Sequence, residues 1–389
     1  MAEACSALGS SRAAINGDGS LIAFVRPGSD TAELTLVDRR SRRETMLRPG
    51  GTPCPIGDGP AWIGDVALSA NGAILAFVHA VPERSADDGG LSLKAYSDLY
   101  VYELRRRRLL RLGADGALDA IAGTLPQILE VAVSGTGDQI GFAAVTASGP
   151  PGETNIFLYD RAGPGLIQVN GPANGAGRAI AMSADGGTLF FCNTADGGLF
   201  VHERALGRTT ALPITTLPRN VGAGRPYAIT GDGRLIAFET DSGERHVRLY
   251  DRATGLIEEV SETLGLFCRH AEQPTISRDG RYVAFSSRLP GLRASADLWR
   301  IYVFDRATRR VRLIDGNDDA AAPRRASISA DGSTLLTEIT RAGGTPAIAI
   351  RANPLHSRMG PARSASTRTS SAAAPSASAR PFQPALTAA

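Results

Sequence analysis

Lysine is almost missing from this chain: of 42 basic residues, Lys94 is the only one that is not arginine. An arginine bias of this kind follows from GC-rich coding and needs no function. The formal net charge is +3 over 389 residues. That is too little to argue for a nucleic-acid partner, which would need a dense basic face. The four cysteines, Cys5, Cys54, Cys192 and Cys268, include no C-x-x-C pair, so no thiolate metal site or redox motif is expected. Cys192 follows Phe191 in an apolar run and reads as a small core residue. No apolar run approaches the ~20 residues of a membrane-spanning helix, so no insertion into a bilayer is expected. The first twenty residues lack the basic start and apolar stretch of an export signal.

Signatures of common chemistries are also missing. The sequence contains no G-x-S-x-G, no H-E-x-x-H and no G-x-x-x-x-G-K-[ST]. The five histidines, His79, His202, His246, His270 and His356, are scattered. His202 falls in a strand-like run and reads as a packed side chain. The expectation is therefore no catalytic residue, no metal and no cofactor.

What the chain has in quantity is glycine, 44 residues, set in a repeat. Seven segments align: INGDGSLIAF, LSANGAILAF, VSGTGDQIGF, MSADGGTLFF, ITGDGRLIAF, ISRDGRYVAF and ISADGSTLLT. Their anchor glycines are Gly19, Gly72, Gly137, Gly186, Gly233, Gly280 and Gly332, spaced 53, 65, 49, 47, 47 and 52 residues apart. A strand–turn–strand unit at this spacing is the mark of a propeller blade. The Asp-Gly or Asn-Gly step suits a tight hairpin turn, because glycine accepts positive φ without steric cost. Past each turn the strand alternates. Ile22, Leu75, Ile140, Leu189, Ile236, Val283 and Leu335 share a face with Phe24, Phe77, Phe142, Phe191, Phe238, Phe285 and Thr337. Before the turn lies a column of small residues: Ala14, Ala67, Ala132, Ala181, Ala228, Thr275 and Ser327. Such residues suit innermost strands converging on an axis.

A second hairpin follows each motif, and its first strand ends on an acid: Asp38, Glu103, Asp160, Glu203, Asp251 or Asp305. A carboxylate there is expected to accept turn N–H groups. The run Arg105–Arg108 falls on an outer hairpin, where charge protects a sheet edge. The seventh repeat offers a third strand, TPAIAIRA, and no clear fourth. These observations predict an all-β chain, a seven-bladed β-propeller of four-stranded antiparallel blades over residues 11–352. The last blade is incomplete, and residues 1–10 are expected to close it through the stretch around Cys5–Leu8. Residues 353–389 are Ser-, Ala- and Pro-rich and are expected to form a disordered tail.

The segment PTISRDGRYVAFSSRLPGLRASADLWRIYVFDRATRR resembles the repeat of TolB-like, WD-repeat-like bacterial propellers. The likeness covers about residues 11–352 and is densest from Arg225 to Asp315. The Gly-His and Trp-Asp pairs of true WD repeats are absent. The resemblance implies a periplasmic or secreted setting and protein–protein contact; without an export signal, the cytoplasm is the alternative.

Where the innermost strands begin, a mixed-charge ring is expected at the channel mouth: Arg12, Asp65, Glu130, Arg178, Arg225, Glu272 and Arg325, with Arg324 alongside. Arginine forks suit carboxylates and phosphates. Opposite charges in such a ring can equally pair off and need no ligand. Longer loops at Pro82–Ser97 and Leu289–Leu298 bring Asp87, Asp88 and Asp297 toward the same face, with too few oxygens for calcium. The function expected is a non-enzymatic binding or scaffold propeller, monomeric, taking a protein partner or a small anionic ligand at the mouth. The alternative is a propeller enzyme of lactonase or lyase type using that face.

Overall fold

A computed structural model describes residues 13–26, 33–47, 62–82, 95–113, 127–145, 153–163, 165–171, 174–215, 225–241, 245–264, 270–289, 298–314, 325–340 and 346–356. Among them no helix is long and apolar enough to cross a membrane. The described residues are mainly β, with short 3-10 turns at Arg204–Leu206 and Ser261–Leu264 among them.

The strands follow one another as antiparallel meanders. The first sheet holds β1 (Ala13–Ile15), β2 (Leu21–Arg26), β3 (Glu33–Asp38) and β4 (Arg43–Leu47). The second holds β5 (Trp62–Leu68), β6 (Ile74–Pro82), β7 (Ala95–Glu103) and β8 (Arg108–Arg111). The third holds β9 (Gln127–Val133), β10 (Gln139–Val145), β11 (Thr154–Asp160) and β12 (Gly165–Gln168). The fourth holds β13 (Gly177–Met182), β14 (Thr188–Asn193), β15 (Gly198–Glu203) and β16 (Arg208–Thr215). Then come β17 (Tyr227–Ile229), β18 (Leu235–Asp241), β19 (Arg245–Asp251), β20 (Ile257–Glu259), β21 (His270–Ile276), β22 (Tyr282–Leu289), β23 (Leu298–Asp305) and β24 (Arg310–Leu313). The last sheet has three strands, β25 (Arg325–Ile328), β26 (Thr334–Thr340) and β27 (Pro346–Ala352).

The expectation of seven four-stranded blades is corrected by this topology. The protein is a β-propeller, and its described residues form five discrete blades, four of them four-stranded and one three-stranded, while β17–β24 form one eight-stranded sheet. The fusion has a local cause. Strand β20 covers β19 only from Arg248 to Tyr250. The uncovered start of β19 then takes a parallel pair, Arg245 with His270 of β21. The hairpin repeat fixes which strands turn back on each other. It does not dictate whether neighbouring sheets stay apart.

The turns themselves form as their residues require. All seven anchor glycines have φ between 67° and 83°, a region that disfavours a Cβ. At Gly332 a Cβ would lie 2.4 Å from Tyr282 Cδ2 of the neighbouring sheet, so close approach also demands glycine there. The turns then link through backbone hydrogen bonds. Gly17 N–H donates to Ala70 O (2.8 Å), Asn71 to Gly135 O (3.0 Å), Gly135 to Ala184 O (2.8 Å) and Ala184 to Gly231 O (2.7 Å). Gly231 N–H donates to Arg278 O (2.9 Å), Arg278 to Ala330 O (2.8 Å), and Asp331 back to Gly17 O (2.9 Å). The cycle closes.

Apolar side chains fill the space between sheets. Ile22, Leu75, Ile140, Leu189, Ile236, Val283 and Leu335 are all buried, as are Phe77, Phe142, Phe191, Phe238, Phe285 and Thr337. Clusters join adjacent sheets: Val78, Leu99 and Val101 meet Val131, Phe142 and Phe157. Cys192 is fully buried in another such cluster.

Arginines following three of the outer acidic residues tie their sheets to the one before. Arg161 pairs with Glu103, Arg204 with Asp160, and Arg252 with Glu203. Arg252 also sits over the Phe190 ring, 5.3 Å from its centroid. Arg39 reaches Thr334 of the last sheet (3.4 Å). Asp38, Asp160, Asp251 and Asp305 accept the N–H two residues on, at 2.9–3.0 Å, as expected of turn carboxylates. Asn353, first residue of the expected tail, is buried and donates to Gly332 O (2.8 Å). Residues 1–12 and 357–389 lie outside the described residues, and with them the expected closing strand and most of the expected tail.

Removing a buried ring should cost far more than trimming the rim. Phe142→Ala is expected to lower unfolding stability by about 3–5 kcal/mol, whereas Leu256→Ala, 69% exposed, stays within about 0.5 kcal/mol; urea titration followed by circular dichroism measures both.

Candidate functional site at the start of the inner strands

The mixed-charge residues do not form one level. Asp65, Glu130 and Arg325 stand seven residues before their turn glycines, whereas Arg178, Arg225 and Glu272 stand eight before theirs. Backbone irregularities accompany both sets: the β5–β6 register shifts between Ile63 and Val66, and the β9–β10 register between Ala143 and Ala144. The β13–β14 register shifts between Arg178 and Ala181, with Ala179 at φ 56°. The β21–β22 register shifts between Glu272 and Thr275, with Gln273 at φ 55°. A bulge adds one residue and turns a backbone N–H out of the ladder.

Carboxylates of neighbouring strands catch those N–H groups. Asp65 Oδ2 accepts from Val131 N–H (3.0 Å), Glu130 Oε2 from Ile180 N–H (3.2 Å), and Glu239 Oε1 from Gln273 N–H. Two of the residues expected at the mouth, Asp65 and Glu130, therefore also join one sheet to the next.

The structure brings Asp65, Glu130, Arg178 and Arg225 together. Arg225 reaches over to donate through Nη2 to Asp65 Oδ2 (2.7 Å) and to Val131 O (2.9 Å). The side chain of Arg225 is 34% exposed and that of Asp65 1%. Burial raises the pKa of Glu130, and the Asp65 carboxylate raises it further; Arg225, Arg178 and the Ile180 N–H pull the other way. Arg178 makes no hydrogen bond through its guanidinium among the described residues. Nor do Arg178 and Arg225 pair with each other; both act on Glu130.

Glu272 stands apart from this group. It pairs with Arg245 (2.6 Å) beside the junction of β19 and β21. Arg325 faces Glu338 across the β25–β26 pair. Arg12, Arg324, Asp87, Asp88 and Asp297 lie outside the described residues.

Sequence reasoning missed Glu239 and Tyr227, though both carry a signal. The residue after each repeat phenylalanine is Val25, Val78, Ala143, Cys192, Glu239 or Ser286, so an acid is out of place at 239. The residue before each small one is Ala13, Val66, Val131, Ile180, Tyr227, Pro274 or Ala326, so a phenol is out of place at 227. Glu239 is 5% exposed. Burial, with Glu272 adding to it, raises its pKa to about 7 against the pull of Gln273 N–H and Arg245.

At the other end of the inner strands lies a depression of about 540 Å3 edged by Asp185, Asp232, Arg278, Asp279 and Asp331. Its aspartates are engaged. Asp185, Asp232, Asp279 and Asp331 each accept a Ser or Thr hydroxyl and a backbone N–H on Oδ1. These are turn locks. Among the described residues no three His, Cys, Asp or Glu side chains converge as a metal site. His202 is buried with Nδ1 3.0 Å from Thr209 Oγ1. Arg105–Arg108 are exposed in the turn entering β8.

No protein-family model matches the chain, and no curated protein matches it. Solved structures do. The β-propeller domain of Cps50 (Swd1) from Myceliophteria thermophila aligns with a TM-score of 0.53 at 13% identity, covering 88% of this chain and 97% of that one. An oligogalacturonate lyase in complex with manganese aligns with a TM-score of 0.55 at 13% identity, covering 88% and 87%. TolB from Acinetobacter baumannii aligns at 14% identity over 86% and 79%, and its TM-score of 0.45 carries no argument. The class is thereby defined as a β-propeller. At these identities the likeness speaks for fold alone.

Glu239 generates a pH prediction. Its folded pKa lies above the unfolded value, so its contribution is complete below about pH 4.5 and is lost as pH rises through about 7. The loss amounts to roughly 3 kcal/mol. Glu239→Gln keeps the acceptor for Gln273 N–H and removes the titration. Between pH 5 and 8 the thermal midpoint of the wild type is expected to fall by several degrees, and that of the variant by clearly less.

Proposed function

We propose that this protein is a binding propeller whose working surface is the polar cluster where the inner strands begin, and that it takes an anionic group of a ligand or partner segment there. The observation that carries the reading is Arg178. Its guanidinium lies beside Glu130 with no hydrogen-bond partner among the described residues, while Arg225 is already held by Asp65 and Val131. A planar fork of N–H donors without an acceptor suits a carboxylate or phosphate. Arg225 fixes the floor of the site and Arg178 is left to receive. Fold likeness to a lyase supplies no residue set for catalysis here, so the binding reading is preferred.

The test is thermal unfolding with inorganic phosphate. At a concentration ten times the dissociation constant, binding adds about 1.4 kcal/mol to stability. The wild type is expected to gain a degree or more and Arg178→Ala to gain nothing. An equal gain in both proteins would remove Arg178 from the site and overturn the reading.

A further inference from the structure

Two buried polar atoms in the channel cluster have no partner among the described residues. Asp65 is fully buried; Oδ2 accepts two hydrogen bonds, yet Oδ1 accepts none. Tyr227 is 1% exposed, and its hydroxyl neither donates nor accepts. Tyr227 packs in one core cluster with Cys192, which faces Arg178 across the β13–β14 pair, so the phenol lies beside the polar group. Leaving a buried hydroxyl or carboxylate oxygen unmade is costly, so both atoms point to something that completes them.

The charges narrow what that is. The cluster sets two acids, Asp65 and Glu130, beside two guanidinium groups, Arg225 and Arg178. A lone anion would leave Asp65 Oδ1 and Glu130 unanswered, and a lone cation would leave Arg178 and the Tyr227 hydroxyl unanswered. A molecule bearing one charge of each sign would not. The unfilled positions also come in both kinds. Asp65 Oδ1 and the second oxygen of Glu130 accept; Arg178 and the Tyr227 hydroxyl donate.

We propose that the cluster binds a zwitterion of the α-amino-acid type, its ammonium on Asp65 Oδ1 and Glu130 and its carboxylate on Arg178 and the Tyr227 hydroxyl. The proposal rests on the binding reading above and names the class of ligand. Tyr227→Phe is the discriminating variant, because it deletes one hydroxyl and keeps the ring packed against its neighbours.

The experiment is isothermal titration of the full chain with glycine and, separately, with its two halves, acetate and methylammonium. Glycine is expected to bind at least about tenfold more tightly than either half. Tyr227→Phe should weaken glycine about five- to tenfold with an unchanged circular dichroism spectrum. Arg178→Ala should reduce glycine to the level of methylammonium. If acetate matches glycine, the site takes anions only: the zwitterion is wrong and the binding reading stands. If methylammonium matches glycine, or none of the three binds up to about 50 mM, the zwitterion is likewise wrong. Phosphate stabilisation then decides separately whether the binding reading survives.

Discussion

The closed cycle of backbone hydrogen bonds between inner turns is the constraint on which the rest of this protein depends. Each turn hands an N–H to a carbonyl of the next, and Asp331 returns the chain to Gly17. A cycle has no free end, so the inner strands are held at a common level around one axis. Glycine at positive φ makes the turn tight enough for the handover. Aspartate or asparagine beside it locks the turn by accepting the N–H two residues on. Burial of the aliphatic and phenyl columns then supplies the main stabilising free energy, and the cycle decides where that burial occurs.

Arginine does structural work throughout this ring. The arginines after the outer acidic residues reach back to the preceding sheet, through Arg161, Arg204 and Arg252, and Arg39 joins the first sheet to the last. A lysine could offer a charge at these places. It could not offer the two-pronged contact by which Arg234 holds Asp251, or Arg281 holds Asp305. The arginine bias, explicable by coding alone, is therefore used in the fold. Against that background Arg178 stands out, because its guanidinium makes no hydrogen bond among the described residues.

The candidate site is a by-product of the same geometry. Bulges at the start of inner strands turn N–H groups out of their ladders, and acids from other strands accept them. This draws carboxylates together, and burial with the neighbouring Asp65 raises the pKa of Glu130. Arg225 answers for Asp65. Glu130 is left between Asp65 and Arg178, and Tyr227 is buried beside them. A second cluster, Glu239 with Glu272 and Arg245, lies where β19 meets β21, and burial there raises the pKa of Glu239.

By itself the sequence determined the hairpins: seven turn glycines, the alternating columns behind them and the acids that close the outer turns are all local patterns, and local patterns survive into structure. It also located Asp65, Glu130, Arg178 and Arg225 near the strand starts. Only the tertiary structure decided how the sheets divide, because the fusion of β17–β24 depends on how much of β19 its own partner β20 covers, a matter of a few residues of pairing that no repeat encodes. Only it decided which charges meet, since Arg225 and Asp65 are 160 residues apart and are brought together by ring closure. And only it showed what surrounds Tyr227 and Glu239, odd in their columns: burial leaves the Tyr227 hydroxyl without a partner among the described residues and raises the pKa of Glu239.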